Sequence, residues 1–252
     1  MRIVAWPPVG IVSAAPWVER QVARSEGLNT RRAIMASAGP ARRVAQLTVS
    51  ALAQGRAGAG YMDQLWREID GGLHYVRLDI LSPNWHIDRA TGRAMGYTRP
   101  GNWTYNAETA QWTSGGNAAV WFTASNRPGT PGTSGGYPTI TLGSLPPNAL
   151  IVRPGDLVRS YTVAAGAVTG SAVARAVTEA RSDAAGVVTI RLDTTLQAGI
   201  ISLHDAESVV FEVTGITPGA QGVGADWQYQ VSLREVLPTE YAGATEVNPW
   251  RM

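Results

Sequence analysis

The sequence predicts a mainly β protein, with β-sandwich or barrel domains and one short helix packed on an N-terminal sheet. Segments in which apolar and polar residues alternate recur along the chain, and turn-forming residues separate them. Charged residues make up only 16% of the 252 residues, below the roughly 25% that soluble domains usually carry. The 28 glycines and 15 prolines suit short strands joined by turns better than long helices.

The stretch from Val44 to Ile80 has the pattern strand, helix, strand. Its first part alternates apolar and polar side chains, as a half-buried strand does. A glycine-rich break over 54–60 follows, and a helix is predicted over 61–70, ended by Gly71-Gly72. The apolar stripe of this helix is predicted to consist of Tyr61, Leu65, Trp66 and Ile69. Alternation resumes after the glycines, so a second strand ends at Ile80, and the helix must lie on the sheet that the two strands build.

The N-terminal segment is predicted to be extended, because Pro7 and Pro8 exclude a helix there. Residues 17–27 fit either a strand or a helical turn. A further strand, a turn at Gly39-Pro40 and the strand after Val44 should follow. Two basic pairs flank this turn, namely Arg31, Arg32, Arg42 and Arg43. They fit a solvated hairpin end or a surface that docks onto an acidic partner.

Regular patterning fades between residues 82 and 138, where Gly, Thr, Asn, Ser and Pro dominate. So long a segment without strands of its own is uncommon unless it is functional, which suggests an insertion or an arm that reaches a neighbouring subunit. Aromatic residues recur through it, and the candidate interface residues are Trp85, Trp103, Tyr105, Trp112 and Trp121. The aromatic residues over 97–121 also fit a platform on which sugar rings stack.

The C-terminal part shows further short strands, with a turn at Pro154-Gly155-Asp156. Such spacing predicts a closed barrel or a sandwich. We therefore expect an N-terminal ring-forming β-domain over 1–85, an insertion or arm over 86–140, and a C-terminal barrel or sandwich part over 141–252. The last strand completes either that part or the N-terminal sheet.

No group of residues has the spacing of a catalytic, cofactor-binding or metal site, so we expect a protein that is not an enzyme. The chain has no cysteine, and its three histidines lie too far apart in sequence for helical metal binding. His204 and Asp205 are adjacent, and neighbours on a strand point to opposite faces, so they should not share a site. All 21 basic residues are arginine, and the net charge of +2 does not predict specific binding of nucleic acid. No apolar run is long enough to predict a membrane span.

Several phrases resemble tail-tip proteins of long-tailed bacteriophages and related prophages, in particular the distal tail protein that caps the tail tube. The first is R-R-V-A-Q-L-T-V-S-A-L with the later G-Y-M-D-Q-L-W-R-E-I-D-G-G-L-H-Y-V-R-L. The second is L-G-S-L-P-P-N-A-L-I-V-R-P-G-D-L-V with A-V-A-R-A-V-T-E-A-R-S-D-A-A-G-V-V-T-I-R-L. The closing F-E-V-T and W-Q-Y-Q-V-S-L-R-E-V complete the resemblance, which leaves 82–138 unmatched.

The resemblance implies a structural β-rich subunit that forms a ring, expected to be a homohexamer, between the tail tube and the hub of the adsorption apparatus. Its implied partners are copies of itself, the tail tube protein, hub or baseplate proteins and the tape measure protein. It implies a location at the tail tip of the virion, after assembly in the host cytoplasm. The competing function is a carbohydrate-binding or receptor-binding tail module that uses the aromatic residues over 97–121, and a glycan hydrolase is a third class.

Overall fold

The computed structural model describes residues 1–26, 33–50, 58–84, 100, 103–105, 108–110, 112–114, 117–122, 127–221 and 227–250. Strands account for 58% of the residues and helices for 7%, which confirms the mainly β class. The chain forms two compact units. The first combines residues 1–79 with residues 208–252, and the second consists of residues 80–207.

The strands and helices follow one another along the chain in three groups. The N-terminal part of the first unit contains β1 (Arg2–Ala5), β2 (Gly10–Glu19), β3 (Val22–Glu26), β4 (Ala33–Ser37), β5 (Arg42–Ser50), α1 (Gly58–Glu68), a 3-10 turn (Asp70–Gly72) and β6 (Tyr75–Ile80). The second unit contains β7 (Trp103–Tyr105), β8 (Glu108–Ala110), β9 (Trp112–Ser114), β10 (Asn117–Ala119), β11 (Pro128–Ser134), β12 (Tyr137–Leu142), β13 (Leu150–Val152), β14 (Leu157–Ala164), β15 (Ala167–Arg175), β16 (Ala180–Arg181), β17 (Val188–Arg191) and β18 (Gly199–Leu203). The chain then returns to the first unit with β19 (Glu207–Gln221), β20 (Trp227–Glu235) and β21 (Thr245–Val247).

The first unit is built on a seven-stranded sheet with the order β2-β5-β20-β19-β6-β1-β21. Neighbouring strands from β2 to β19 are antiparallel, whereas β1 runs parallel to both β6 and β21. Ala45, Leu47 and Val49 of β5 are buried and alternate with more exposed polar residues, as the sequence predicted. The two outermost strands of this sheet are β2 and β21.

Helix α1 covers one face of the sheet with the buried side chains Met62 and Leu65, and Ile69 continues this stripe just beyond the helix. The predicted stripe is wrong at Trp66, whose side chain is 39% exposed, and it missed Met62, which is buried, whereas the predicted Tyr61 is half-buried. Positions 62, 65 and 69 lie within about 60° of one another around a helix with 3.6 residues per turn, and position 66 lies at the margin of that stripe, about 100° from position 65. Gly71 and Gly72 have φ of 65° and 106°, which confirms that the glycines end the helix.

Strands β2 to β5 form one long two-stranded ribbon. β2 pairs with β5 inside the sheet, and β3 pairs with β4 as a separate two-stranded sheet. The Ala38 N–H donates to the Gln21 carbonyl oxygen at 2.9 Å and links the two halves. The predicted turn at Gly39-Pro40 is therefore wrong. Those residues lie at a break between β4 and β5, which follow one another along the same side of the ribbon.

The second unit contains a closed barrel. Its six-stranded sheet has the order β15-β14-β18-β11-β12-β17, and all neighbours are antiparallel. The outermost strands meet at a bridge between Ala176 and Leu192. Two further bonds close the sheet, from the Val177 N–H to the Arg191 carbonyl at 2.9 Å and from the Asp193 N–H to the Arg175 carbonyl at 3.0 Å. The outermost strands are thus joined at one end of the sheet, and we refer to this closed sheet as the barrel.

The barrel encloses a contiguous apolar core. Its buried residues are Ile140, Leu142, Leu145, Ile151, Val152, Val158, Ala174, Ala176, Val188, Ile190, Leu192, Leu196, Ile201 and Leu203. The predicted turn at Pro154-Gly155-Asp156 is present, with Gly155 at a φ of 86° that favours glycine. The barrel begins at β11, inside the range expected to be an insertion, and the strands after residue 207 belong to the first unit. The observed division thus differs from the boundaries expected at 85 and 140, because β19 and β20 return to the sheet of the first unit, where β20 pairs with β5 and β19 lies between β20 and β6.

Candidate interaction surface

The most exposed part of the first unit is β2, the outermost strand of its sheet. All ten residues of β2 are exposed, whereas the neighbouring β5 buries every second side chain. Residues that face each other across an antiparallel pair lie on the same side of the sheet. Ile11 lies opposite Val49, yet Ile11 is 37% exposed and Val49 is fully buried. The layer that covers β5 therefore stops before it reaches β2.

Four residues of β2 lie on this uncovered side. The register with β5 places on it Ile11, Ala14, Pro16 and Val18. Val18 is 61% exposed, and on the other side Trp17 is 43% exposed. Edge strands are usually protected by short length, charges, Pro or bulges. Strand β2 contains Pro16 and a register shift between Ile11 and Ser13, but it has ten residues and only one charged side chain, Glu19. We call β2 the open edge.

The ribbon continues beyond the sheet as β3 and β4, which we call the arm. The described side chains of the arm are exposed and include the apolar Val22, 55% exposed, and Met35, 65% exposed. An isolated two-stranded ribbon is only marginally stable in water, so burial against another surface would stabilise it. The open edge and the arm together place large apolar side chains in solvent, which is the usual mark of a protein contact.

Arg42 and Arg43, two of the predicted interface residues, lie where the arm joins the sheet and contact carboxylates of the same unit. Arg42 donates from both terminal nitrogens to Glu240, at 2.7 and 2.6 Å, and also to the Glu235 carbonyl oxygen at 3.0 Å. The Arg43 N–H donates to the Glu235 carboxylate at 2.7 Å. These bonds attach the segment after β20 to the start of β5.

The Arg42–Glu240 pair alters the pKa of both groups. The hydrogen bonds from Arg42, followed by the one from the Leu237 N–H, lower the pKa of Glu240 from 4.5 to about 2. The bond to Glu240 in turn raises the pKa of Arg42 above its ordinary value. Since both guanidinium groups have carboxylate partners in their own chain, an acidic partner would have to compete with Glu240 and Glu235.

The structure describes only some of the other predicted interface residues. Arg31, Arg32 and Trp85 lie outside the described residues. Trp103, Tyr105 and Trp112 lie in the short strands of the hairpins β7–β8 and β9–β10, for which the backbone is described. Trp121 is half-buried, one residue before the buried Phe122, whose ring lies 5.8 Å from that of Tyr161. A contact through these aromatic residues, with protein or with sugar, stays a prediction.

The sheet face opposite α1 carries an open groove of about 350 Å³. It crosses the four strands from β2 to β19, and its lining is uncharged and mostly small or polar. The lining residues are Ser13, Ala15, Gln46, Leu47, Thr48, Gly215, Ile216, Thr217, Gln230, Val231 and Ser232. Hydroxyl and amide groups can bind a polar surface there, and the lining contains no titratable side chain that could activate the hydroxyls as an acid or base.

Two buried carboxylates of the barrel have structural partners. Asp156 is fully buried and accepts hydrogen bonds from the Ser82 hydroxyl at 2.6 Å, the Asn84 amide at 3.0 Å and the Arg153 N–H at 2.7 Å. His204 lies 3.5 Å from the same carboxylate. In a hydrolytic triad the histidine would lie between serine and carboxylate, whereas in this network the carboxylate lies between the other two, so the arrangement cannot activate Ser82.

His204 and Asp205 have different partners, as predicted, but both follow the end of β18 at Leu203, so the predicted reason, opposite faces of a strand, does not apply. The His204 ring lies 2.8 Å from the Ile151 carbonyl oxygen, whereas Asp205 accepts from Arg159 at 3.0 Å. Sequence reasoning did not find the Asp156 network, because Ser82 and Asn84 lie more than seventy positions before Asp156 in the chain. The only local signal was the turn at Pro154-Gly155-Asp156.

Two further kinds of feature are absent from the described parts of the chain. These parts contain no group of three or more His, Asp or Glu side chains that could hold a metal ion. They also contain no helix with the length and apolar character needed to cross a membrane. Comparison of the sequence with protein-family models and with curated proteins gave no match.

Proposed function

We propose that this protein is a structural subunit of a bacteriophage tail tip, forming an oligomeric ring that joins the tail tube to the hub and adsorption apparatus. The observation that carries the proposal is the open edge, a ten-residue strand exposed on both faces at the end of a sheet. The resemblance of the sequence to distal tail proteins suggests the tail tip as the location. A second copy of the chain covers the open edge.

The free energy available from burying the exposed apolar side chains favours a large partner surface. The open edge and the arm expose six large apolar side chains, namely Ile11, Val12, Trp17, Val18, Val22 and Met35. Burying such a side chain from full exposure gains about 1.5–3 kcal/mol, and because these six are only 37–65% exposed, the set gains roughly 5–10 kcal/mol. Association costs about 4–15 kcal/mol in lost freedom. Apolar burial alone thus roughly offsets the cost of association. Hydrogen bonds along the strand edge, and contacts with a second neighbour in a ring, would make assembly favourable.

The low charge of the chain and the geometry of closed rings support the proposed homohexamer and its partners. Closed rings use two different surfaces of each subunit, and low surface charge suits a subunit whose surface becomes interface. The proposed partners are further copies of the chain in a homohexamer, the tail tube protein, hub or baseplate proteins and the tape measure protein. The proposed location is the tail tip of the virion, after assembly in the host cytoplasm.

The test is electron microscopy and mass photometry of the purified protein and of Val18→Asp. We expect rings from the parent chain. The variant should raise the concentration needed for assembly by at least about a hundredfold, because burying an unpaired carboxylate costs several kcal/mol. The matched control is Val163→Asp, an exposed strand position on the barrel at 39% exposure, which should assemble like the parent.

Two results would contradict the proposal. If the parent chain stays monomeric at all concentrations, ring formation is wrong. If Val18→Asp assembles as well as Val163→Asp, the open edge is not a contact surface. A monomer that binds glycans, and loses that binding on Trp112→Ala, would favour the carbohydrate-binding function instead.

A further inference from the structure

On the side of α1, side chains pack over the β21 end of the seven-stranded sheet, whereas the β2 end is exposed. At the β2 end, the side chains that face this side are exposed. At the β21 end, the Trp250 indole N–H donates to the Ala5 carbonyl oxygen at 2.7 Å, and its ring packs edge-on against Tyr61 with centroids 5.7 Å apart. Both rings are half-buried. One edge thus lacks a covering layer, and the other edge carries apolar rings that still face solvent in part.

The symmetry of a ring gives these two ends a common role. A ring needs two different surfaces that fit each other, whereas a contact of β2 with β2 is self-complementary and stops at two copies. We propose that the outer edge of β2 in one copy pairs with β21 of the next copy, and that Tyr61 and Trp250 of that copy cover the exposed side chains of β2. This inference rests on the proposed ring function and identifies the surface through which the ring forms.

The lengths of the two edges agree with this pairing. The pairing of β2 with β5 shifts between Ile11 and Ser13, and Pro16 has no N–H to donate. These interruptions leave two regular stretches of three residues, 13–15 and 17–19, and β21 also has three residues. A short strand therefore suits this edge better than a second ten-residue β2 would, because the latter would meet both interruptions.

The inference is tested by cross-linking, which the lack of cysteine makes simple. Ala15→Cys lies on β2 and Thr245→Cys on β21. The two single variants are mixed, and a short bismaleimide, to which two thiols add, joins cysteines that lie close together. Since a contact raises the effective concentration of the two thiols, the mixture should give at least about tenfold more cross-linked dimer than either variant alone. The double variant Ala15→Cys/Thr245→Cys should give a ladder of larger products.

A matched control replaces the β2 cysteine with Thr169→Cys, an exposed strand position on the barrel. Mixed with Thr245→Cys, it should give only background cross-linking. If Ala15→Cys alone cross-links as well as the mixture, β2 pairs with β2 and the inference is wrong. If microscopy shows rings but the mixture does not cross-link, the ring forms through another surface, and this inference fails while the proposed function stands. If neither rings nor cross-links form, both fail.

Discussion

The barrel and the open sheet are built from similar alternating strands, but they differ in how the sheet ends. The barrel joins its two outermost strands through the bridge between Ala176 and Leu192 and encloses its apolar residues. The open sheet ends in β2, which pairs on one side only and leaves Ile11 and Val18 in solvent. The difference shows where each unit's apolar and hydrogen-bonding groups find their partners. The barrel buries most of its apolar residues among its own strands, whereas the open sheet leaves the side chains of β2 exposed.

This contrast has a physical basis in the backbone. An edge strand presents unpaired N–H and C=O groups, and closure into a barrel is the one arrangement that removes edges altogether. The barrel is therefore sensitive to changes that disturb close contacts between strands. The open sheet should tolerate changes at β2 in the monomer and show their effect in assembly. Substitutions in each unit test this contrast, beginning with the one that should cost the most stability.

Gly199→Ala should disrupt the barrel. A Cβ at position 199 would fall far inside the contact distance of the Tyr161 carbonyl oxygen on β14, and a backbone atom cannot turn aside as a side chain can. We expect a loss of about 3 kcal/mol or more in the free energy of unfolding of the barrel. Scanning calorimetry measures this as a lower melting temperature.

The control for this change is Gly170→Ala, also on a barrel strand. A Cβ there would have no atom within 4 Å, so the melting temperature should stay the same or rise. Equal melting temperatures for the two variants would show that the close contact between β14 and β18 at Gly199 does not determine the stability of the barrel.

Gly60→Ala should stabilise the open-sheet unit. Gly60 lies in α1, and a Cβ there meets no atom within 4 Å. Alanine favours the helix over glycine by about 1 kcal/mol, so the unit should melt at a higher temperature while ring formation is unchanged. Gly71→Ala, at a φ of 65°, should have the opposite effect. A rise in stability for both would contradict this account of how the helix ends.

Glu240→Gln should give the smallest effect, and that effect depends on pH. The pKa of Glu240 is lowered from 4.5 to about 2 in the folded chain, so the Arg42–Glu240 pair stabilises the fold above about pH 4.5. This stabilisation is lost as the pH falls through about 2. The melting temperature of the variant should therefore lie slightly below that of the parent at pH 6 and coincide with it near pH 2. A difference that is the same at both pH values would show that the charge of Glu240 does not matter.

The local parts of the fold could be predicted from sequence because they depend on neighbouring residues. The alternation in β5, the helix after the glycine-rich break and the glycines at 71 and 72 follow from periods of 2 and 3.6 and from backbone freedom. The error at Trp66 arose because the stripe was drawn from Tyr61, whereas the buried stripe runs through Met62, Leu65 and Ile69 and has Trp66 at its margin. The error at Gly39-Pro40 arose because a break within a ribbon has the same residues as a turn.

The candidate surface could be predicted only in part. The basic residues Arg42 and Arg43 were visible in the sequence, but their partners Glu235 and Glu240 lie almost two hundred positions further on. The open edge was not predicted at all. Its ten residues do not alternate, and only the strand order and the exposure of β2 in the folded chain show that it is an uncovered edge among the described strands.

The mainly β class, the position of the helix and most turns are readable from the amino-acid sequence, because they depend on the conformational preferences of short segments. The strand order, the closure of the barrel and the exposure of β2 emerge only in the folded chain. Those features depend on which distant segments pair, as when β20 returns to pair with β5. Alternating patterns specify which face of a strand is apolar, but they do not specify its neighbour.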